Sequence, residues 1–261
     1  MPPLLESRNV DKSFDAVTAA SGVNIAIDNG EVLGIIGANG AGKTTFVNLV
    51  TGYLAPDAGD IFFEGRVITG CQPRETARLG ICRSFQIPQL FPLVSVLDNV
   101  ILAFTLAGRE GLNPWRPART RNRIAAARTL LKQFNIAVYS EQLAETLPQG
   151  IAKLLDIAMA TAGSPRLMLL DEPTSGISME EKFSLMDVLM SALRDRGTTV
   201  IFVEHDMEIV ERYSTRIAAF YEGRIIADGA PEGVLANPEV REFVVGKEFH
   251  RKPAVTGNGG C

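Results

Sequence analysis

Cysteines and long hydrophobic runs are scarce in this sequence. It has three cysteines, Cys71, Cys82 and Cys261, and their odd number and wide spacing predict neither a disulfide framework nor a zinc site. No apolar run approaches the roughly 18 residues of a membrane-spanning helix. The first residues have no basic segment followed by an apolar one, which argues against a secretion signal. We therefore expect a protein of the reducing cytoplasm that does not cross a bilayer by itself.

The sequence also lacks an excess of positive charge. Lysine and arginine number 26 against 30 aspartates and glutamates, which gives a formal net charge of −4. This acidic balance argues against nucleic acid as a partner. A local cluster of arginines surrounds Trp115 and could be a patch for nucleic acid or lipid, although we favour a solvated loop and helix start. Its members are Arg109, Arg116, Arg119, Arg121 and Arg123.

The sequence contains enough apolar material for a large core. Hydrophobic residues make up 46% of the 261 residues, which excludes a disordered or fibrous protein. The mean hydropathy of +0.11 is somewhat high for a soluble enzyme. Buried parallel strands, which are covered on both faces, would explain it, and an exposed surface for a partner is the alternative.

Residues 37–45, GANGAGKTT, match the phosphate-binding pattern GxxxxGK[ST] between a predicted strand and a predicted helix. Glycines permit a tight backbone path with inward amides, and the helix adds its positive N-terminal end. We predict that Lys43 reaches the β and γ phosphates, that Thr44 coordinates Mg²⁺, and that Thr45 contacts an outer phosphate. The predicted nucleotide-binding residues of this segment are Gly37, Asn39, Gly40, Ala41, Gly42, Lys43, Thr44 and Thr45.

Acidic and imidazole side chains follow two further predicted strands. The apolar run in LMLLDE ends in Asp171 and Glu172, as expected where a buried strand enters an active-site crevice. We predict that Asp171 holds the metal through its hydration shell and that Glu172 polarises the attacking water. His205 ends TTVIFVEH, and beside the other motifs a contact to phosphate and water is favoured over a structural role.

Together these motifs resemble the ATP-binding subunit of an ABC transporter, from about Leu5 to Gly246. The matching segments, in family order, are GANGAGKTT, RSFQ with Gln86, LMLLDEPTSG and VEHD. The resemblance implies an α/β fold: a P-loop NTPase (RecA-like) core with an antiparallel β subdomain and an inserted α-helical subdomain. The core would comprise 1–88 and 160–246 and the helical subdomain 89–159, with 247–261 as a flexible tail.

The resemblance also implies roles for residues outside the phosphate loop. Phe14 would stack on the adenine of ATP, unless it is an ordinary apolar anchor. Gln86 would join the metal and the attacking water to the helical subdomain. Phe91 and Leu93 would lie exposed near a groove that receives a helix of a membrane subunit, or else belong to the core. ATP and Mg²⁺ are the implied ligands.

Within the family, three features resemble the branched-chain amino acid importer branch: RSFQIPQLFPLVSVLDNV, the arginine-bearing insertion and NPEVREFVVG. Implied partners are a second ATPase subunit, two membrane permease subunits and, indirectly, a periplasmic solute-binding protein, with the chain peripheral on the cytoplasmic face of the inner membrane. Related branches handle urea, amides or aromatic acids. The motifs are also compatible with lipopolysaccharide export, a soluble ABC ATPase or a weakly catalytic regulatory module.

One family motif is altered. The signature LSGGQ, which binds the γ phosphate of ATP on the opposite subunit, is here LPQGI at 147–151. Pro148 has neither a hydroxyl nor a backbone N–H, whereas Gly150 still permits close approach in trans. We therefore predict a heterodimer in which this chain's ATP is hydrolysed and the partner's is hydrolysed more slowly. Ser178, where many members have aspartate, predicts weaker communication between the two sites.

Overall fold

The apolar runs of the sequence form two β-sheets in the computed structural model, which describes residues 2–84, 87–108 and 117–245. The strands in this part of the chain are β1 (Leu5–Phe14), β2 (Val17–Ile27), β3 (Val32–Gly37), β4 (Ala58–Phe63), β5 (Arg66–Val67), β6 (Ile81–Ser84), β7 (Leu167–Asp171), β8 (Thr199–Val203), β9 (Arg216–Tyr221) and β10 (Arg224–Gly229).

Helices alternate with these strands. They are α1 (Lys43–Val50), α2 (Pro73–Leu79), α3 (Val96–Ala107), α4 (Arg121–Gln133), α5 (Gln149–Ala160), α6 (Met179–Asp195), α7 (Met207–Tyr213), α8 (Pro231–Ala236) and α9 (Pro238–Val240), followed by a π-helical turn at Arg241–Val245. Side-chain caps fix several starts: Ser95 accepts a hydrogen bond from the amide of Asp98 at α3, and Thr120 accepts one from Arg123 at α4.

The larger sheet carries the centre of the molecule. Its strand order in the described residues is β10-β9-β3-β8-β7-β6, with β10 antiparallel and the others parallel. Every residue of β8 is buried, as are the first four of β7. Continuous burial is typical of parallel strands covered on both faces. The buried parallel strands therefore account for part of the apolar composition.

A smaller antiparallel sheet, ordered β2-β1-β4-β5 in the described residues, covers one end of the molecule. Its β1 pairs Leu5 with both Ile27 and Phe63. These side chains share a hydrophobic core with Leu33 of β3 and Phe46 of α1. The small sheet thus packs over α1 and fixes the helix that follows the phosphate-binding segment.

Helices α3, α4 and α5 lie between β6 and β7 in sequence. Their buried faces, including Val100, Leu130 and Leu155, belong to a second core that continues under α6 and β8. The P-loop core, the antiparallel sheet and the inserted helices confirm the predicted fold class. The proposed boundaries after residues 88 and 159 stay predictions.

Several sequence-based expectations fall outside the described residues. These are the role of Gln86, the cluster of Arg109, Trp115 and Arg116, and the tail 247–261. In the part that is described, Cys71 and Cys82 are free thiols. None of the helices there is both long and apolar enough to cross a membrane.

The centre of the sheet is expected to be the most sensitive part of the core. Phe202 of β8 is fully buried, so replacing it with alanine leaves a cavity and should cost about 3–5 kcal/mol of unfolding free energy. Val138, which is 81% exposed, is the control, and Val138→Ala should change stability by no more than about 0.5 kcal/mol. Urea unfolding measures both. Equal losses would contradict the central position of Phe202.

Candidate active site

Three parallel strands end side by side and bring the predicted motifs to one edge. In the sheet register, Val203 of β8 is paired with Ile35 of β3 on one side and with Asp171 of β7 on the other. The residues that follow these strands therefore emerge together at the carboxyl edge, where open α/β sheets bind ligands. This register is what joins the phosphate loop to Glu172 and His205.

The phosphate loop runs from the end of β3 into α1. Its backbone turns tightly, with the amide of Ala41 donating to the carbonyl of Ala38 at 3.1 Å. Gly40 and Gly42 have φ angles of +80° and +98°, in the left-handed region that favours glycine. A Cβ on Gly42 would also collide with the carbonyl of Ala19 in β2. The glycine is thus required both by conformation and by space.

Lys43, the first residue of α1, carries a buried ammonium group. It is 6% exposed, and Nζ donates to the carbonyls of Gly37 at 2.6 Å and Ala38 at 2.9 Å. Burial lowers the pKa of Lys43, and the charges of Glu172 and Asp171 oppose that shift. In the described residues, the hydrogen bonds of this ammonium group go to two neutral carbonyl oxygens. A phosphate that displaced them would offer the ammonium a charged and therefore stronger acceptor.

Asp171 closes β7 and is held by an arginine that the sequence did not single out. Arg83 of β6 donates to Oδ2 of Asp171 at 2.6 Å and to Oδ1 of Asn48 in α1 at 2.5 Å. The guanidinium and carboxylate are 10% and 14% exposed. Arg83 therefore fixes one oxygen of Asp171 and ties the end of β7 to the helix behind the phosphate loop.

Glu172 and His205 meet directly. Nε2 of His205 lies 3.0 Å from Oε1 of Glu172, and the two side chains are 45% and 25% exposed. Glu172 has a φ angle of +48°, an unfavourable left-handed conformation for a residue with a Cβ. Such strain persists only where neighbouring contacts enforce it, and it is concentrated at functional sites.

The oxygen donors present fit the predicted magnesium ion. Thr44, exposed in the first turn of α1, supplies a hydroxyl, and Asp171 supplies a carboxylate. Hard oxygen ligands are those that Mg²⁺ prefers. Gln86, the third residue predicted to contact the ion, lies outside the described residues.

Two further residues predicted to contact nucleotide, Phe14 and Gly150, belong to β1 and α5. Phe14 ends β1 with its ring 44% exposed and the ammonium of Lys12 at 5.7 Å from the ring centroid. It is therefore neither fully buried nor an ordinary core anchor. Gly150 lies in the first turn of α5, where a Cβ would meet only Ile177 and Leu185 at ordinary distances of 3.7 Å. Nothing in the described chain requires glycine there.

Sequence reasoning missed the charged residues that support the site from behind. Besides Arg83, Lys153 of α5 donates to the carbonyl of Glu172 at 2.9 Å. Glu204, just before His205, accepts hydrogen bonds from the amide and hydroxyl of Thr174. Lys153 interrupts an apolar helix and Glu204 follows an apolar strand. A charged residue within an apolar pattern could therefore have indicated a buried charge at both positions.

The fold and the site define a P-loop ATPase. A model of the family described as "ABC transporter" matches residues 20–175, and the chain belongs to this family of ATP-hydrolysing transporter subunits. Family cassettes bind ATP, dimerise and work with membrane permease components. The resemblance predicted from the motifs is thereby confirmed.

Two relatives and one solved structure show how far the similarity extends. The chain is 34% identical to the probable branched-chain amino acid transport ATP-binding protein LivG of Archaeoglobus fulgidus, over 94% of this chain and 96% of that protein. It is 32% identical to the high-affinity branched-chain amino acid transport ATP-binding protein BraF of Pseudomonas aeruginosa, over 94% and 98%. A nucleotide-free ATP-binding cassette from an ABC transporter superposes with a TM-score of 0.80, at 30% identity, covering 92% and 97%.

The contact between Gly42 and Ala19 predicts a specific loss of nucleotide binding. Gly42→Ala would force a Cβ against the Ala19 carbonyl and should lower ATP affinity at least about tenfold, because the loop amides move. Calorimetric titration with ATP measures this. The control is Gly65→Ala. Gly65 lies in the β4–β5 turn with a φ of +75° and open space around it, so this substitution should lower stability but leave ATP affinity unchanged. Equal ATP affinity in both variants would contradict the role of Gly42.

Proposed function

We propose that this chain energises an importer of branched-chain amino acids or a related small polar solute by hydrolysing ATP. The observation that carries ATP hydrolysis is the meeting of Lys43, Asp171, Glu172 and His205 at one sheet edge. Similarity over nearly the whole chain to LivG and BraF supports an importer over lipopolysaccharide export, a soluble ATPase or a regulatory module.

The proposed mechanism assigns one task to each side chain of the edge. Lys43 leaves the carbonyls of Gly37 and Ala38 to bind the β and γ phosphates. Glu172 accepts a proton from water as the water oxygen bonds to the γ phosphorus and the bond to the ADP oxygen breaks. His205 orients the Glu172 carboxylate and contacts the γ phosphate.

Other residues would bind and orient the nucleotide and its ion. Thr44 and, through water, Asp171 would hold Mg²⁺, which supplies neutralisation of the phosphate charge. Thr45, Asn39 and the remaining amides of the phosphate loop would bind phosphate oxygens. In this proposal Gln86 positions the ion and the attacking water. The half-exposed ring of Phe14 offers an aromatic face for adenine.

The altered signature segment supports a heterodimer. Pro148 precedes the first residue of α5 and has no N–H to offer, which leaves the start of this helix poorer in donors. No contact within the described residues explains why position 150 is a glycine. We infer that Gly150 serves a nucleotide on the partner ATPase, at a site weakened by Pro148, while this chain's own site faces an intact signature.

The membrane partners would dock on the exposed apolar side chains after β6. Leu93 and Ile87 are each 74% exposed, and Phe91 is 44% exposed. Side chains of this kind suit a permease helix. Two permease subunits would place the chain at the cytoplasmic face of the inner membrane, with a periplasmic binding protein delivering the solute from the other side.

The asymmetric site predicts unequal effects of matched substitutions. Glu172→Gln should abolish most ATP turnover of the assembled transporter while ATP still binds, because the amide cannot accept the proton. The equivalent substitution in the partner ATPase should cost less, since that site faces Pro148. Phosphate release by the reconstituted complex measures both. Equal losses of turnover would reject the asymmetric model.

The docking surface is tested by a charge placed on it. Leu93→Asp should weaken co-purification with the permeases and reduce solute-stimulated ATP turnover several-fold, while ATP binding by the purified chain stays unchanged. Val67→Asp is the control, because Val67 is also exposed, at 58%, but lies on β5 in the smaller sheet, outside the proposed surface. If the Val67 variant lost the permeases as strongly as the Leu93 variant, the proposed surface would be wrong.

A further inference from the structure

Lys153 is a buried charge whose hydrogen bond goes to the backbone of the proposed catalytic residue. The side chain lies in the second turn of α5 and is 4% exposed. Its Nζ donates to the carbonyl of Glu172 at 2.9 Å. Burying an ammonium group is costly, and a lysine that only had to fill this space could be replaced by methionine or leucine.

The carbonyl that Lys153 binds belongs to a strained residue. Glu172 has a φ of +48°. Its amide donates to the carbonyl of Val203 at 3.0 Å, and its carbonyl also accepts a hydrogen bond from the amide of Ser175 at 3.1 Å. The left-handed conformation is unfavourable for a residue with a Cβ, so neighbouring contacts must hold it. A charge-assisted hydrogen bond to the same carbonyl is stronger than a neutral one and can hold this conformation.

Nearby carboxylates balance the charge of Lys153. Burial lowers the pKa of Lys153, and the charges of Glu204, Glu172 and Asp156 oppose that shift, in that order. Glu204, also 4% exposed, accepts from the amide of Thr174 at 2.8 Å and from its hydroxyl at 2.7 Å. A cation and an anion thus hold the segment that begins at Glu172 from two sides.

We propose that Lys153 is a positioning residue for ATP hydrolysis: from α5, its ammonium group fixes the backbone of Glu172 so that the carboxylate faces His205 and the attacking water. The proposal rests on the proposed role of Glu172 as the group that accepts the proton. It adds a residue that touches neither nucleotide nor water and acts only through the backbone of Glu172.

The same helix holds this segment at a second point. A Cβ on Gly176, which has a φ of +76°, would collide with the side chain of Gln149, the first residue of α5. Helix α5 therefore contacts the segment at Glu172 through Lys153 and at Gly176 through Gln149. The last three residues of LPQGI are the first three of α5, so in this proposal the orientation of Glu172 depends on the position of the helix that carries the altered signature.

The test compares Lys153→Met, Lys153→Arg and the control Lys132→Met in the assembled transporter. Lys132 is an exposed lysine in the last turn of α4, so its variant makes the same chemical change without the contact. We expect Lys153→Met to lower kcat at least about tenfold, with KM for ATP and the affinity for a fluorescent ATP analogue within about twofold, because only the orientation of Glu172 changes. Lys153→Arg, which can still donate to the carbonyl, should recover most of the lost kcat.

Either of two results with Lys153→Met would overturn the inference. One is a kcat for Lys153→Met within about twofold of that for Lys132→Met. The other is a loss of ATP affinity that matches the loss of kcat, since a merely structural role would lower both together. If Lys153→Met does not assemble, Lys153→Gln is judged by the same two criteria. A kcat for Lys153→Arg that is no higher than that of the neutral variants would also contradict the proposal.

Glu172→Gln in the same assay separates this inference from the function on which it rests. Wild-type turnover in Glu172→Gln would reject the proposed role of Glu172 and, with it, that of Lys153. Loss of turnover in Glu172→Gln combined with normal turnover in Lys153→Met would reject the positioning role alone.

Discussion

The buried ammonium group of Lys43 is the interaction on which the rest of the site depends. Its position requires the left-handed glycines before α1, the end of β3, and the packing of the smaller sheet over α1. In this structure the backbone carbonyls of Gly37 and Ala38 hold the ammonium, and the acidic pair at the end of β7 balances it. In the proposed mechanism, a polyphosphate would meet an ammonium group that is already desolvated and held within the loop, which would strengthen the new contact.

Behind this charge, buried ionic side chains from other elements fix the acidic pair. Arg83 holds Asp171 from β6, Lys153 holds the backbone of Glu172 from α5, and Glu204 holds Thr174 from the end of β8. Each of these groups costs free energy to bury and each is hydrogen-bonded across two elements, an arrangement that favours one defined geometry. Three features therefore organise the edge: the strand register, the buried charges that hold the strand ends, and the side chains proposed to react, Glu172 and His205.

The fold class, and the gathering of the phosphate loop, Glu172 and His205 at one edge, could be predicted from the sequence because they depend on local patterns. Two such patterns are a glycine-rich loop between a strand and a helix, and acidic residues directly after an apolar run. Each can be recognised from neighbouring residues alone. The left-handed conformation of Glu172 and the contacts of Lys153 and Arg83 could not, because they arise where β6, α5 and β7 meet in space. The roles of Gln86 and of Arg109 and Arg116 near Trp115 stay predictions, since these residues lie outside those described.

The central claim is that ATP is hydrolysed at this chain's own site. Trapping with vanadate tests it most directly: the assembled transporter is incubated with Mg²⁺, vanadate and radiolabelled 8-azido-ATP, irradiated, and the subunits are separated. Vanadate replaces the released phosphate only after hydrolysis, so the label marks the subunit on which turnover occurred. The account predicts label on this chain that requires both vanadate and Mg²⁺. Label confined to the partner ATPase, or label on this chain that is indifferent to vanadate, would contradict it.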